Sequence, residues 1–83
     1  MKITVRYFAS IREAIGQGSE AVETAATTLG ALRDELIARG GAHAGSLARG
    51  RAVRMALNQT LSDESATLAD GAEVAFFHPV TGG

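Results

Sequence analysis

The amino-terminal segment Lys2-Ile3-Thr4-Val5-Arg6-Tyr7-Phe8 alternates between two kinds of side chain. One side carries Ile3, Val5 and Tyr7, and the other carries the polar residues between them together with Phe8. A period of two is what a strand with one buried face requires. The segment therefore predicts a first strand, and the rest of the chain has to supply what covers its apolar side.

A short helix and a second strand are expected next. Ser10 is predicted to cap a helical run over residues 11–15, and Gly16 is predicted to end it because glycine tolerates the left-handed conformation. Residues 20–24 alternate weakly, which predicts a strand that pairs with the first as a hairpin.

The main helix is indicated by leucines at helical spacing. Its amino terminus is predicted at Thr27 or Thr28, whose hydroxyl can cap a helix. The apolar stripe comprises Leu29, Leu32, Leu36 and Ile37, and the residues outside it are Arg33, Asp34, Glu35 and Arg39. Residues 41–51 contain three glycines and no sustained period, so a flexible loop is predicted there.

Two further strands are predicted in the second half of the chain. Residues 53–57 alternate and are followed by a turn at Asn58-Gln59-Thr60. A second turn at Asp70-Gly71 precedes a strand over residues 73–78, which Pro79 ends because proline cannot donate to a strand ladder.

This order of elements predicts an α+β fold of the β-grasp type, with a mixed sheet packed on one main helix. A right-handed crossover through that helix places the first and last strands side by side. The domain is expected to span residues 1–79, followed by a flexible Gly-Gly tail over residues 80–83. The predicted core joins the helix residues Leu29, Leu32 and Leu36 to the strand residues Ile3, Val5, Val53, Met55, Leu57, Val74 and Phe76.

Composition excludes several classes of function. A chain of 83 residues allows one domain. Eight Lys and Arg against nine Asp and Glu give a formal charge of -1, which argues against a nucleic-acid partner. The sequence shows neither an apolar run of about 20 residues nor the apolar region of a signal peptide, so a cytoplasmic protein without a membrane partner is expected.

Residue types that commonly take part in catalysis are few and scattered in this sequence. The chain has no cysteine, and its two histidines, His43 and His78, fall on a predicted loop and at a strand end, so no metal site is predicted. The acid pairs Asp34-Glu35 and Asp63-Glu64 are interpreted as solvated charge. The basic group Arg49, Arg51 and Arg54 is a secondary candidate for an acidic partner, or is itself a solvated loop. We therefore expect no independent enzymatic activity.

Motifs at both ends of the chain resemble one known family. They are Val5-Arg6-Tyr7-Phe8-Ala9 with Ile11-Arg12-Glu13, Ala56-Leu57-Asn58-Gln59, and the ending Asp70-Gly71-Ala72-Glu73-Val74-Ala75-Phe76-Phe77 with Pro79-Val80-Thr81-Gly82-Gly83. Together they resemble the small subunits of molybdopterin synthase, a family of ubiquitin-like sulfur carriers. The resemblance covers nearly the whole chain.

The resemblance implies that the functional group is the terminal carboxylate of Gly83. In the family, an E1-like adenylating enzyme activates this carboxylate with ATP and Mg, and a sulfur donor protein supplies the sulfur of a thiocarboxylate. The thiocarboxylate then gives sulfur to cyclic pyranopterin monophosphate inside the large subunit, in a heterotetramer. Gly82 lets the tail thread into a narrow site because it has no Cβ. By this reading the chain is the non-catalytic, sulfur-donating subunit of a transferase complex, and it binds no cofactor itself.

A docking surface for these partners is predicted on the sheet face away from the main helix. Its apolar residues are Phe8, Ala56, Ala75 and Phe77, its rim is Arg6 and Arg54, and Pro79, Val80 and Thr81 lead from it to the glycines. The interpretations that stay open are a sulfur carrier for thiamine or cysteine biosynthesis, and a ubiquitin-like binding module or protein tag.

Overall fold

The computed structural model describes residues 1–79 as five strands and three helices. Along the chain these are β1 (Lys2–Tyr7), α1 (Ala9–Ile15), β2 (Ser19–Glu23), α2 (Leu29–Ile37), α3 (Gly41–Leu47), β3 (Arg54–Leu57), β4 (Thr60–Ser62) and β5 (Glu73–Phe77). The predicted tail, with Val80, Thr81, Gly82 and Gly83, lies outside the described residues.

The strands form one mixed sheet in the order β2-β1-β5-β3-β4. β1 and β5 run parallel, with Thr4 opposite Glu73 and Tyr7 opposite Phe76, while the other neighbours are antiparallel. The first and last strands therefore lie side by side, and the prediction of an α+β β-grasp fold is confirmed.

The core lies between the sheet and the helices. Leu29, Leu32 and Leu36 of α2 are at most 1% exposed, as predicted. Of the seven predicted strand residues, Val53 and Leu57 are only partly buried at the edge of the core, and the other five are buried. The core also includes residues from segments with no clear period in the sequence: Ile11, Val22, Leu47 and Leu68.

The prediction of a flexible loop over residues 41–51 is wrong in its first half, where α3 forms. Leu47 at the end of α3 is fully buried in the core. Arg33 of α2 was predicted outside the apolar stripe, yet it is 4% exposed, and its Nε donates to the Leu47 carbonyl over 2.7 Å. Its Nη2 donates to the carbonyl of Ala48 over 3.1 Å. Two long-range hydrogen bonds from Arg33 thus satisfy carbonyls that the end of α3 leaves without partners.

The main helix, the predicted short helix and the unpredicted α3 therefore cover the sheet together. α1, α2 and α3 each contribute buried residues to the same core cluster. Thr28 caps α2 as predicted, since its side chain accepts a hydrogen bond from the Ala31 amide over 3.2 Å. The predicted cap of α1 is wrong, because Phe8 is the N-cap residue and makes no side-chain cap, while Ser10 lies inside the helix.

The fifth strand, β4, was not predicted. Asn58 and Gln59 form the turn, and both have positive φ angles of 50° and 70°, which suit a two-residue hairpin. Thr60 was assigned to that turn, but it begins β4 and pairs with Leu57. The strand is only three residues long, too short for its alternation to be recognised.

Candidate functional site

Strand alternation gives the sheet two different faces. The face of Ile3, Val5 and Phe76 packs on the helices and is called here the covered face. The face that bears Arg6, Ala56, Ala75 and Phe77 points away from the helices and is called the open face. These residues lie together because Arg6 is opposite Ala75, and Ala75 is opposite Ala56.

A shallow groove of about 440 Å³ lies on the open face. Its lining residues are Arg6, Phe8, Ala56, Gln59, Glu73, Ala75 and Phe77. The structure thus brings together all four apolar residues predicted for the docking surface, and one of its two rim arginines. The alanines on neighbouring strands leave room between the two phenylalanine rings, of which Phe8 is 39% exposed.

Arg6 is held between an aromatic ring and a carboxylate. Its guanidinium carbon lies 5.3 Å from the centre of the Phe8 ring, and its Nη1 lies 3.4 Å from Oε2 of Glu73. Almost half of the Arg6 side chain is exposed, so this ion pair adds little to stability and remains open to a partner. Sequence reasoning missed Glu73, although the period of two that placed Ala75 and Phe77 on the open face also applies to it.

The second predicted rim residue, Arg54, does not line the groove. It lies opposite Phe77 in the strand register. There it lines a separate cavity of about 450 Å³ together with Leu61, Asp63 and Glu64, among other residues.

Leu61 extends the apolar surface beyond the predicted residues. It lies opposite Ala56 in the register. Its side chain is 63% exposed, compared with 39% for Phe8. Sequence reasoning missed it because residues 58–60 were interpreted as a turn and the nearby Asp63-Glu64 as solvated charge. The available indication was a two-residue turn after β3, since such a turn returns the chain directly into a paired strand.

The groove runs along β5 from Glu73 and Gln59 to Phe77, and its Phe77 end lies where the predicted tail leaves the sheet. Phe77 is the last residue of β5, and Pro79, two residues later, is partly buried. His78 places its Nδ1 3.1 Å from the Ala52 carbonyl oxygen. Because β1 is parallel to β5, Phe8 directly after β1 lies at this same end.

A cluster of hydrogen-bonded titratable side chains lies on the covered side, with Glu20 at its centre. Oε2 of Glu20 accepts a 2.7 Å hydrogen bond from the Tyr7 hydroxyl, and His43 Nε2 lies 3.0 Å from the same oxygen. Arg39 donates to Oε1 over 2.7 Å. Desolvation raises the pKa of Glu20, but hydrogen bonds from His43, Arg39 and Tyr7 outweigh it and lower the pKa to about 2. Burial and the neighbouring Glu20 raise the pKa of Tyr7.

His43 therefore belongs to a structural cluster on α3, not to a loop. Within residues 1–79, no group of three or more His, Cys, Asp or Glu side chains is arranged to hold a metal ion.

Asp34, Arg49 and Glu64 keep exposed side chains, at 64%, 44% and 39%, but they also pair with one another, which the sequence did not indicate. Arg49 donates to Glu64 over 2.6 Å and also to Asp34, and its Nη2 donates to the Gly30 carbonyl over 3.2 Å. These contacts join α2 to the segment before Leu68. Hydrogen bonding from Arg49 lowers the pKa of Glu64. Gly30 permits this close junction, because a Cβ there would lie 2.8 Å from Oε1 and 3.1 Å from Cβ of Glu64, and Glu64 would have to shift.

In the described part of the chain, no helix combines the length and the apolar character that crossing a bilayer requires.

Comparison with known proteins gives a consistent set of matches. The model of the ThiS family matches residues 5–83. The molybdopterin synthase sulfur carrier subunit of Escherichia coli (strain K12) is 42% identical over 81 residues, which are 98% of this chain and 99% of that protein.

Two solved structures are similar over their full length. A chain of the protein–protein complex of subunits 1 and 2 of molybdopterin-converting factor from Helicobacter pylori 26695 has a TM-score of 0.69 and 28% identity, covering 100% of both chains. SAMP1 from Haloferax volcanii has a TM-score of 0.78 and 24% identity, also covering 100% of both chains, and this likeness shows the fold alone.

Proposed function

This chain belongs to the ThiS family, and on that premise we propose that it is the sulfur carrier subunit of a molybdopterin synthase. The relative of that name matches it almost from end to end. The partner that we propose is the synthase large subunit, by analogy with the two-subunit complex from H. pylori.

The proposed chemistry takes place at the carboxylate of Gly83. A free carboxylate is a poor acyl electrophile, so an E1-like enzyme first joins it to AMP from ATP and Mg, releasing pyrophosphate. Hydrosulfide that a donor protein supplies then attacks the carbonyl carbon, AMP leaves with the bonding electrons, and the proton of the sulfur goes to water. The resulting thiocarboxylate is the sulfur donor to cyclic pyranopterin monophosphate.

The observation that most supports a carrier role is the groove on the open face next to the start of the tail. Three of its apolar residues, Phe8, Ala75 and Phe77, are at least partly exposed, although the covered face holds ample apolar material for a core. Exposed aromatic residues with a polar rim are typical of protein interfaces. A partner seated on Phe8 and Phe77 lies within a few residues of Gly83, so docking also positions the reacting group.

We assign no catalytic residue to the described part of the chain. The buried Tyr7 is bonded to the partly buried Glu20 on the covered side of the sheet, and the buried Arg33 is bonded to backbone carbonyls. The groove presents Arg6 and Glu73, which form an exposed ion pair suited to recognition. Catalysis in this proposal belongs to the activating enzyme and to the large subunit.

The test is the intact mass of the chain after incubation with an activating enzyme, ATP and a sulfur source. The expected result is a mass gain that matches the replacement of one oxygen by sulfur. A chain that lacks Gly83 is the matched control and should show no gain. An unchanged mass, with an activating enzyme that loads its own carrier in the same mixture, would contradict the proposal.

The pathway is tested separately with the loaded chain. Mixed with a molybdopterin synthase large subunit and cyclic pyranopterin monophosphate, it should lose its sulfur and yield a dithiolene. Loading without this transfer would keep the carrier role and assign it to another sulfur-requiring pathway.

A further inference from the structure

A cavity of about 340 Å³ lies between α1 and α3 and is called here the helical cavity. Small side chains of the two helices line it, together with the buried Ile11 of α1, Arg51 from the segment before β3, and His78 directly after β5. It shares no lining residue with the groove on the open face. The proposed function makes no use of it.

The charge of the helical cavity has one sign. The groove on the open face includes Glu73, and the cavity beside Leu61 includes Asp63 and Glu64. Among the described residues that line the helical cavity there is no carboxylate, and the permanent charge is the guanidinium of Arg51. An anion that enters it therefore meets an attracting group and no acidic side chain in its wall.

Three side chains of the helical cavity have donors without protein acceptors. Within residues 1–79, neither the guanidinium of Arg51 nor the hydroxyls of Ser10 and Ser46 take part in a hydrogen bond or an ion pair. Ser10 and Arg51 are exposed, and the half-buried Ser46 is not among side chains shut off from both water and a partner. All three donors thus face water, which a ligand can replace without breaking an interaction of the fold.

The walls of the helical cavity are held by the fold itself. α1 and α3 each place a buried residue in the core. The Arg51 amide donates to the Ala48 carbonyl over 2.9 Å, and the Arg51 carbonyl accepts from the Val53 amide over 2.9 Å. Nδ1 of His78 lies 3.1 Å from the Ala52 carbonyl oxygen, which ties the end of β5 to the same segment. A cavity formed in advance binds its ligand without the cost of ordering its walls.

We propose that the helical cavity binds a phosphate group, as inorganic phosphate or as the monoester of a small molecule. Its donors come from α1, α3 and the segment before β3, so they suit an anion whose oxygens point in several directions. Phosphate is tetrahedral, whereas a carboxylate presents two oxygens in one plane. The guanidinium of Arg51 pairs with two phosphate oxygens, and the hydroxyls of Ser10 and Ser46 donate to the others.

The test is a titration of the isotopically labelled full chain with sodium phosphate at neutral pH and constant ionic strength, followed by amide chemical shifts. The signals of Ser10, Ser46 and Arg51 should move along one saturating curve. Sodium chloride at the same ionic strength should not move them. A parallel titration with AMP distinguishes the two sources. Clearly tighter binding of AMP would assign the site to a monoester, and equal or weaker binding would assign it to phosphate alone.

Two arginine variants test the assignment of the charge. Arg51→Gln should weaken phosphate binding by about tenfold or more, because it removes the charged partner of the anion. Arg54→Gln is the matched control, since Arg54 is also an exposed arginine but lines a different cavity. It removes the same charge, and the affinity should stay within about twofold because salt screens a distant charge.

Ser46→Ala tests the hydroxyl and should weaken binding by about threefold. Circular dichroism of each variant checks that the chain is folded.

Three outcomes overturn the proposal. Shifts that grow without saturating, or that are equally large in Arg51→Gln, would show that phosphate only screens surface charge. A saturating effect that Arg54→Gln abolishes and Arg51→Gln leaves intact would place the anion outside the helical cavity. The inference does not depend on the proposed function, because the titration involves neither an activating enzyme nor sulfur.

Discussion

Phe76 and Phe77 are neighbours with the same side chain and opposite surroundings. Phe76 is completely buried on the covered face, where its ring stacks on that of Tyr7 with centres 6.2 Å apart. Phe77 is partly exposed on the open face and lines the groove with Phe8. One peptide unit thus separates a residue that holds the fold together from one that the fold presents to a partner.

The difference follows from what covers each face. The pleat turns successive side chains to opposite sides. On one side three helices exclude water, so apolar burial stabilises the fold; on the other side the same apolar area remains available for binding. Substitutions on the two faces should therefore separate folding from docking.

The largest effect is expected for Phe76→Ala. Removing a fully buried ring loses its transfer free energy and leaves a cavity, so the free energy of unfolding should fall by about 3–5 kcal/mol. Chemical denaturation followed by circular dichroism measures this directly. The matched change Phe77→Ala should cost much less, and equal losses at both positions would contradict the distinction between the faces.

The second-largest effect is expected on binding of the large subunit, and this prediction rests on the proposed function. Phe77→Asp places a charge in the groove, and binding of the large subunit should weaken by about 2 kcal/mol or more, roughly 30-fold. Calorimetry of the two purified subunits gives the dissociation constant. Ala25→Asp, at an exposed position near the opposite end of the sheet, is the control and should bind normally. Unchanged binding by the Phe77 variant would remove the groove from the proposal.

Substitutions of a carboxylate on each face should also differ in their effect on the free energy of unfolding. Glu20→Gln disturbs a shielded carboxylate bonded to three side chains, and we expect a loss of about 1–3 kcal/mol in the free energy of unfolding. Glu73→Gln breaks only the exposed pair with Arg6 and should cost below about 1 kcal/mol. A larger loss for Glu73→Gln than for Glu20→Gln would contradict the view that Glu20 stabilises the fold and Glu73 does not.

The same carboxylate makes a prediction about pH. Folding lowers the pKa of Glu20 from its ordinary value of 4.5 to about 2, so its contribution is complete above pH 4.5. It should be lost as the pH falls from 4.5 towards 2, because the unfolded chain binds the proton first. Urea titrations across this range should show the loss in the unchanged chain and a flatter profile in Glu20→Gln.

The smallest effect is expected at Leu61. Because this side chain is mostly exposed, Leu61→Ser should change the free energy of unfolding by no more than about 0.5 kcal/mol. Binding of the large subunit should weaken, though less than with Phe77→Asp, since Leu61 lies on the edge strand outside the groove. Normal binding would confine the docking surface to the groove.

Much of the docking surface was accessible from the sequence because it depends on a local rule. The period of two assigns Arg6, Ala75 and Phe77 to one face without any knowledge of the fold. The rule failed for Leu61, since a strand of three residues is too short to display a period. It also says nothing about which charges meet, so Glu73 beside Arg6 was not foreseen.

The amino-acid sequence by itself determined four of the five strands, a cap of α2 at Thr27 or Thr28, and the face to which the residues of those four strands belong, because these depend on neighbours a few positions apart. It also carried the motifs by which the family is recognised. Only the tertiary structure decided that residues 41–47 form a helix, since Leu47 finds its place in the core and Arg33 reaches its carbonyl from 14 positions away. Such contacts depend on how segments far apart in the sequence pack together. Arg33 looks like a solvated residue in the sequence, but this packing buries it and makes it part of the fold.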